Sequence, residues 1–133
     1  MIYIDTSAFV KLVVDEEPWT PELRTMLDDA DAPLVSSVLL QVETRRALQR
    51  VSPQRLPRAD LLLDTVEQAE ISSAIIGSAS RLPGPALRSL DAIHLATALL
   101  LRSELDVLIS YDDRLLEAAV EHSLSVVSPG LDR

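Results

Sequence analysis

Short apolar runs alternate with longer helical segments along the whole chain, and this alternation limits the folds that the sequence can adopt. The runs at 2–5, 33–37 and 107–110 have the length of buried strands, and a segment with helical periodicity follows each of them. Strands that alternate with helices are typical of α/β proteins, in which a helix connects two parallel strands. The sequence therefore predicts an α/β fold with a mainly parallel central sheet.

The same pattern predicts where the individual elements lie. Strands are predicted at 2–5, 33–37, 70–73, 107–110 and 124–127. Helices are predicted at 8–14, from Pro18 or Pro21 to about 29, and at 38–51, 54–67, 74–81, 88–103 and 113–122. Ser7 is the expected cap of the first helix, and the turn at 83–85 is expected to close the fifth.

Length and composition indicate one domain that spans residues 1–133. A chain of 133 residues with 47% apolar residues can bury one continuous core, and it is short for two. The absence of cysteine excludes disulfides, zinc–thiolate sites and thiol nucleophiles. No basic leader precedes Asp5, and no apolar run approaches the roughly 20 residues that span a bilayer. We therefore expect a soluble cytoplasmic protein without a membrane partner.

Four carboxylates stand where strands end or where helices face the core. Asp5 ends the first strand, Glu43 shares a helix face with Leu40, Asp91 lies on an apolar helix, and Asp112 follows the strand at 107–110. Burying an unpaired carboxylate is costly, so four that meet in one cleft require a compensating cation. Mg²⁺ or Mn²⁺ prefers such oxygen ligands, and a carboxylate-bound metal points to phosphoryl-transfer chemistry.

Three of these carboxylates also have a purely structural interpretation. Asp5 is equally well explained as the cap of the helix that follows it. Glu43 could be a solvated residue that pairs with Arg46, three residues later on the same helix. Asp112 or its neighbour Asp113 could cap the last long helix while the other one faces the cleft. From the residues alone these alternatives stay open.

Asp91 lies on the helix with the clearest apolar character. Residues 90–101 are apolar nearly all round, which indicates a buried helix, and their only polar side chains are Asp91, His94 and Thr97. Because Ser89 is available as the helix cap, a functional role is favoured for Asp91. One histidine beside one aspartate is not a metal signature, so we interpret His94 as a core or supporting residue. Thr97 is interpreted as a packing residue.

The net charge of −9 argues at first against a nucleic-acid partner. Five arginines, however, lie within fourteen residues directly after Glu43. They are Arg45, Arg46, Arg50, Arg55 and Arg58. This group is expected either to form a basic rim beside the acidic pocket or to be an ordinary solvated helix face.

Four segments of the chain resemble the signature segments of PIN-domain proteins, and in particular those of the VapC toxins of bacterial toxin–antitoxin pairs. The segments read MIYIDTSAFVKL at 1–12, ETRRAL at 43–48, LDAIHLATA at 90–98 and SYDDRLLEAA at 110–119. Their order and spacing agree with the family from the first residue to about Pro129. One such segment would be weak evidence, whereas four in register are specific.

The resemblance implies a three-layer α/β/α domain that acts as a Mg²⁺- or Mn²⁺-dependent endoribonuclease. Carried over by position, the catalytic residues are Asp5, Glu43, Asp91 and Asp112, and the metal ligands among them are Asp5, Asp91 and Asp112. The implied supporting residues are Thr6 and Ser110. Asp113 is a further candidate, although it lies directly beside Asp112, whereas the family's additional aspartate often lies two residues after the fourth acidic position. The predicted RNA contacts are Arg45, Arg46 and Arg50. The implied partners are an RNA substrate, a VapB-like antitoxin whose tail fills the acidic groove, and a second copy of the chain in a homodimer.

Two other functions remain as alternatives. One is a catalytically inactive interaction module that keeps the PIN fold, although all four acidic positions are present. The other is a different metal-dependent phosphohydrolase or nuclease. A phospho-acceptor receiver domain is disfavoured because Lys11 is the only lysine, and Asp5-Thr6-Ser7 lacks the Asp-x-Asp motif of dehalogenase-like phosphatases.

Overall fold

A computed structural model describes residues 1–84 and 86–131, and it contains five strands and seven α-helices in these ranges. The strands are β1 (Ile2–Ile4), β2 (Leu34–Ser37), β3 (Val66–Ala69), β4 (Val107–Ile109) and β5 (Val126–Val127). The helices are α1 (Thr6–Val14), α2 (Thr20–Ala30), α3 (Leu39–Val51), α4 (Leu56–Leu63), α5 (Ser73–Arg81), α6 (Ser89–Leu100) and α7 (Asp113–Glu121). A short 3₁₀ turn at Pro53–Arg55 precedes α4.

The strands form one parallel sheet in the order β3-β2-β1-β4-β5. In the central strand, Ile2 is in register with Leu34 of β2 on one side and with Val107 of β4 on the other. The chain builds the sheet outward from β1 to β3 and then returns to the opposite side of β1. This change of direction places a switch point between β1 and β4, where ligands of parallel sheets bind beyond the carboxyl ends of the strands.

Helices cover both faces of the sheet, which confirms the predicted three-layer α/β/α architecture. Ile2 and Ile4 of β1 pack into one buried cluster with α1 residues such as Phe9, while Tyr3 packs into a second cluster with Leu95 of α6. This alternation follows from the two-residue period of a strand. Because both faces are covered, β1 is buried along its whole length, as its uninterrupted apolar sequence predicted.

The third strand lies four residues earlier than predicted. The strand predicted at 70–73 is Val66–Ala69 in the structure, and the helix predicted at 54–67 ends at Leu63. The strand lies at the edge of the sheet and only Val66 is buried, so Glu67 and Gln68 hide the apolar pattern that marks a strand. Its place is set by pairing with β2, in which Leu34 is in register with Val66.

Two predicted helix caps are also corrected. The N-cap of α1 is Asp5, which accepts a hydrogen bond from the Ala8 amide, and not Ser7. The N-cap of α6 is Arg88, without a side-chain cap bond, and not Ser89. Helix α2 starts at Thr20 with a proline at its second position, in agreement with the later of the two predicted starts.

The remaining boundaries agree with the prediction to within about three residues. Residues 85, 132 and 133 lie outside the described residues, so the end of the 83–85 turn and the last two residues of the predicted 1–133 domain lie outside the description. In the described ranges, none of the helices combines the length and the apolar character needed to cross a bilayer.

Candidate active site

The four predicted carboxylates lie near the carboxyl ends of β1 and β4, close enough for their charges to interact, in a region that we call the acidic hollow. Asp5 follows β1, Asp112 follows β4, Asp91 lies in the first turn of α6, and Glu43 lies one turn into α3. Burial raises the pKa of Asp91, and the charges of Asp112, Glu43 and Asp5 raise it further, against an opposing effect of His94. The four side chains therefore share one electrostatic environment.

Asp5 is the most buried of the four carboxylates, with 4% of its surface exposed. Its Oδ1 accepts hydrogen bonds from the Ser7 hydroxyl at 2.7 Å and from the Ala8 amide at 3.0 Å. Its Oδ2 accepts from the Ser7 hydroxyl at 3.0 Å and from the Ser110 hydroxyl. Three donors of the protein therefore reach the Asp5 carboxylate, and the single Ser7 proton is shared between its two oxygens. Asp5 is thus both a helix cap and a member of the acidic cluster.

The pKa of Asp5 is set by a competition between burial and these donors. Burial raises the pKa above its ordinary value, and the hydrogen bonds from Ser110, Ala8 and Ser7 lower it, as does His94. The net effect is a raised pKa. Asp5 thus has a higher proton affinity in the folded chain than in water, although the surrounding donors reduce the cost of keeping it ionised.

Ser110 connects two carboxylate-bearing segments. Its hydroxyl donates to Asp5 and accepts a hydrogen bond from the Asp112 amide at 3.0 Å, and the side chain is fully buried. Its carbonyl oxygen accepts a hydrogen bond from the Ser128 hydroxyl at 2.6 Å. The loop after β4 is thereby held against the end of β1, which fixes where α7 and its N-cap Asp112 begin.

Glu43 is held by two donors on one of its oxygens. Its Oε1 accepts from the Thr6 hydroxyl at 2.8 Å and lies 2.6 Å from Nε2 of His94. Burial pushes the pKa of Glu43 upward, but the hydrogen bond and charge of His94 and the bond from Thr6 outweigh it, so the pKa is lowered. Glu43 is therefore a carboxylate that stays ionised in this site.

His94 links Glu43 to the core. Its side chain is 2% exposed, and its Nδ1 lies 2.7 Å from the hydroxyl of Tyr3, whose ring it also meets edge-on. Burial raises the pKa of the Tyr3 hydroxyl, so this group stays protonated. Because the lowered pKa of Glu43 keeps it ionised, its oxygen accepts in the second contact and Nε2 of His94 donates. The interpretation of His94 as a core and supporting residue agrees with this chain of contacts.

Asp91 and Asp112 form a more open part of the site. Asp112 caps α7 through Oδ1, which accepts from the amides of Arg114 at 2.9 Å and Leu115 at 3.3 Å. Within residues 1–84 and 86–131, neither Oδ2 of Asp112 nor either carboxylate oxygen of Asp91 has a hydrogen-bond donor. These oxygens remain available to a ligand. Asp113 is exposed at the first position of α7, so the cap of this helix is Asp112.

A cavity of about 300 Å³ opens between the starts of α6 and α7. Its lining residues are Arg88, Asp91, Asp112, Asp113 and Arg114. Two aspartates of the acidic cluster and two arginines thus face the same small space. The cavity is wide enough for a hydrated ion or a phosphate group, and it opens to solvent.

The donor set suits a hard divalent cation in its chemistry. All the available atoms are carboxylate oxygens, which are the ligands that Mg²⁺ and Mn²⁺ prefer. Burial raises the pKa of Asp5 and of Asp91, and neighbouring carboxylates raise that of Asp91 further, so a bound cation would offset the cost of keeping both groups ionised. In the part of the chain that the structure describes, no three His, Cys, Asp or Glu side chains are already arranged to hold a metal. The side chains would therefore have to move together on binding.

Most of the arginine-rich segment has partners elsewhere in the protein. Arg45 pairs with Asp60 at 3.1 Å, Arg55 pairs with Glu16 at 3.0 Å, and Arg58 donates to carbonyl oxygens near the end of α1. These three arginines join α3 and α4 to their neighbours. Arg46 and Arg50, the other two members of the predicted basic rim on α3, are exposed. They follow Glu43 by three and seven residues, so they lie on the same side of α3 as Glu43.

Sequence reasoning missed three contributors to the site. Ser7 was expected only as a helix cap, yet its hydroxyl bonds both oxygens of Asp5 and accepts from the Tyr111 amide. Arg88 and Arg114 were not singled out, although they lie three residues before Asp91 and two residues after Asp112. Their closeness in sequence to two predicted carboxylates was a signal that would have identified both arginines.

Comparisons with known proteins show to which family the chain belongs. The model of the PIN domain matches residues 2–121. Ribonuclease VapC35 of Mycobacterium tuberculosis is 46% identical over the full length of both chains, and Ribonuclease VapC47 of the same organism is 41% identical, also over the full length of both. A solved toxin–antitoxin complex from Klebsiella pneumoniae contains a chain with a TM-score of 0.73 and 23% identity, which covers 97% of this chain and 98% of that one.

The chain therefore belongs to the PIN-domain family. Within that family, its full-length relatives are VapC ribonucleases, as the four sequence segments indicated.

Proposed function

We propose that this chain is a metal-dependent endoribonuclease that hydrolyses RNA phosphodiester bonds and acts as the toxin of a toxin–antitoxin pair. The observation that supports the proposal most strongly is the electrostatic coupling of the four carboxylates: burial raises the pKa of Asp91, and the charges of Asp112, Glu43 and Asp5 raise it further. The VapC ribonucleases that match its full length supply the reaction class. Mg²⁺ or Mn²⁺ is the cofactor that the all-oxygen donor set favours.

The residues that would hold the ion are Asp5, Asp91 and Asp112. When bound, such an ion supplies positive charge that lowers the pKa of a water and stabilises charge on the attacked phosphate. Asp91 and Asp112 offer their unpartnered oxygens directly, whereas Asp5 would have to exchange the bond from Ser7 or Ser110 for a metal bond.

Glu43 orients the attacking water in this proposal. Its Oε1 is occupied by Thr6 and His94, which leaves Oε2 to accept a hydrogen bond from the water. Because His94 and Thr6 keep its pKa low against the effect of burial, Glu43 remains an acceptor at neutral pH. Its task is to hold and align the water rather than to bind the proton tightly.

RNA binding would depend on charge because only 3% of the residues are aromatic and can stack on bases. Arg46 and Arg50 are the proposed phosphate contacts on α3, and Arg45 would join them only by releasing Asp60. The net charge of −9 repels RNA elsewhere on the surface, so binding should be confined to the rim of the acidic hollow.

The proposed protein partner is a VapB-like antitoxin. The Klebsiella pneumoniae chain with the same fold was solved in a toxin–antitoxin complex. We extend this arrangement to the present chain on the basis of its VapC relatives, with the antitoxin covering the acidic hollow. We also expect the chain to form a homodimer. Its expected location is the cytoplasm, because its proposed RNA substrate is found there.

The test is cleavage of total cellular RNA by the purified chain with Mn²⁺, with and without a chelator. Asp91→Asn should reduce the rate by about 10³-fold or more because it removes an open ligand, and Asp5→Asn should do the same. Asp29→Asn is the matched control, since Asp29 is exposed on α2. Wild-type cleavage should require the metal and should fall steeply as salt increases.

Two outcomes would contradict the proposal. RNA cleavage that survives in both Asp91→Asn and Asp5→Asn would show that the acidic hollow is not the active site. A folded wild-type chain that cuts no RNA with any divalent ion would instead favour the inactive interaction module.

A further inference from the structure

We propose that Arg88 and Arg114 form a clamp for a backbone phosphate of the RNA, next to the phosphodiester that is cut. This inference rests on the proposed ribonuclease function and assigns it a substrate-binding site. Both arginines line the cavity of about 300 Å³ together with Asp91, Asp112 and Asp113. The clamp is thus placed where the acidic cluster opens to solvent.

Neither guanidinium has a partner within the described part of the chain. In residues 1–84 and 86–131, Arg88 and Arg114 form no side-chain hydrogen bond or ion pair. Arg88 lies three residues before Asp91 and Arg114 two residues after Asp112, yet neither arginine forms an ion pair with the nearby aspartate. Both arginines are exposed. This differs from Arg45 and Arg55, which make ion pairs with Asp60 and Glu16.

The backbone around Arg88 adds to the positive potential at this point. Arg88 is the N-cap of the twelve-residue helix α6, and it provides no side-chain acceptor for the amides of the first turn. A helix N-terminus carries partial positive charge, which favours an anion nearby. Asp91 is the only acidic side chain in that turn.

The chemistry of the clamp identifies a phosphate as its ligand. Guanidinium groups form paired hydrogen bonds with phosphate oxygens, and two of them can hold one tetrahedral anion from both sides. The acidic cluster excludes a free anion from its own centre, so the arginines would hold the phosphate at the rim. Because Arg88 and Asp91 share α6, and Arg114 and Asp112 share α7, the clamp and the cluster have a fixed relative position.

The experiment compares Arg88→Gln, Arg114→Gln and the double variant in the full chain. Arg102→Gln is the control, because Arg102 is an exposed arginine beside the starts of β4 and β5, at the opposite end of these strands, where its guanidinium donates to the His122 carbonyl. Four quantities are measured: KM and kcat for Mn²⁺-dependent cleavage of total cellular RNA, the Mn²⁺ concentration at half-maximal rate, and the salt dependence of binding to a fluorescein-labelled single-stranded oligoribonucleotide in Ca²⁺. Melting temperatures establish that each variant is folded.

Each single variant should raise KM by roughly tenfold, as expected for a lost hydrogen bond to a charged group, with kcat changed far less. The slope of log affinity against log salt should fall by about one for each arginine removed. Arg88→Lys and Arg114→Lys should keep the wild-type salt slope, because lysine keeps the positive charge. Their KM should lie between that of the wild type and that of the Gln variants, because lysine lacks the paired N–H donors of the guanidinium group. A role in structure alone would leave the salt slope unchanged.

Three results would overturn the clamp. One is active wild-type protein whose arginine variants keep the wild-type KM and salt slope, which would leave the ribonuclease function intact. The second is a changed Mn²⁺ requirement with an unchanged salt slope, which would assign the arginines to the metal site. The third is an equal rise in KM and an equal loss of salt slope in Arg102→Gln, which would show that any surface arginine has this effect. An inactive wild type would overturn the proposed function together with the clamp.

Discussion

The two sides of the acidic hollow differ in how completely the protein satisfies their carboxylates. On the side of Asp5 and Glu43, the described contacts include six hydrogen bonds to carboxylate oxygens, two of them from the single hydroxyl of Ser7. On the side of Asp91 and Asp112, the described residues provide two such bonds, both of them helix-cap bonds to one oxygen of Asp112. The first side is organised before any ligand arrives, and the second is left open to receive one.

This difference suggests how a site can bury acidic groups without losing the fold. Asp5 lies at the centre of the sheet, where an unsatisfied carboxylate would be too costly, so the backbone and two serines provide donors. Asp91 and Asp112 lie in the first turns of helices at the surface, where water can solvate them. A cation would then bind from the open side and complete its ligand set against the organised side.

Substitutions on the two sides should differ most in how much they weaken metal binding. Asp91→Asn removes an open ligand and should weaken Mn²⁺ binding by about 100-fold or more. Ser7→Ala removes only donors to Asp5 and should weaken it by roughly tenfold or less, in line with groups that act behind a metal ligand. Titration calorimetry with Mn²⁺ measures both variants, with Asp29→Asn as the control. Equal losses in Asp91→Asn and Ser7→Ala would remove the distinction between the two sides.

On the organised side, that of Asp5 and Glu43, activity should also depend on His94. His94→Gln disturbs the donor that holds Glu43 and should lower kcat by about 10- to 100-fold, while KM for RNA changes little. Thr97→Val is the matched control, because Thr97 is buried on the same helix and its hydroxyl bonds only the carbonyl of Ile93. Cleavage assays and melting temperatures are measured together. A kcat in His94→Gln as high as in Thr97→Val would show that Glu43 needs no positioning.

The smallest expected effect is on the pH dependence of stability without metal. Burial raises the pKa of Asp5 and of Asp91, so the folded chain binds protons more tightly than the unfolded chain. The free energy of unfolding should therefore increase as pH falls from above these raised values toward about 4, the ordinary pKa of aspartate. Glu43 has a lowered pKa and opposes this trend only below its ordinary value of about 4.5.

The measurement is the melting temperature in chelator from pH 8 down to pH 5. Wild type should melt higher at pH 5 than at pH 8, and Asp5→Asn should flatten this slope and raise the melting temperature at pH 8 by roughly 4 °C or more. Mn²⁺ at saturating concentration should flatten the wild-type slope as well. A wild-type protein that melts lower at pH 5 in chelator would contradict the assignment of raised pKa values.

The arginines show how far sequence clustering can mislead about a surface. Of five arginines that are neighbours in sequence, Arg45, Arg55 and Arg58 bind other parts of the protein, namely Asp60, Glu16 and carbonyl oxygens of α1. Arg88 and Arg114 are 26 positions apart in the chain but line one cavity. A cluster of charged residues in the sequence therefore does not predict a charged patch on the surface. The charge of a surface depends on which helices begin next to one another in the fold.

Strands and helices could be predicted where burial leaves a periodic apolar pattern. Such a pattern marks β1, β2, β4 and α6, and the prediction there is wrong by only a few residues. The edge strand β3 carries little of that pattern, because a strand at the edge of a sheet is stabilised by pairing on one side and needs few buried side chains. Its position could be found only from the strand it pairs with.

The order of residues along the chain determined the fold class and the family and singled out the four carboxylates as candidates, because residue types and their spacing can be recognised without any knowledge of contacts. The tertiary structure alone decided that the Ser7 and Ser110 hydroxyls donate to Asp5, that His94 joins Tyr3 to Glu43, and that Asp91 accepts no hydrogen bond from the described residues. These are contacts between segments up to about a hundred residues apart. They depend on strand register and helix placement, which no local pattern encodes.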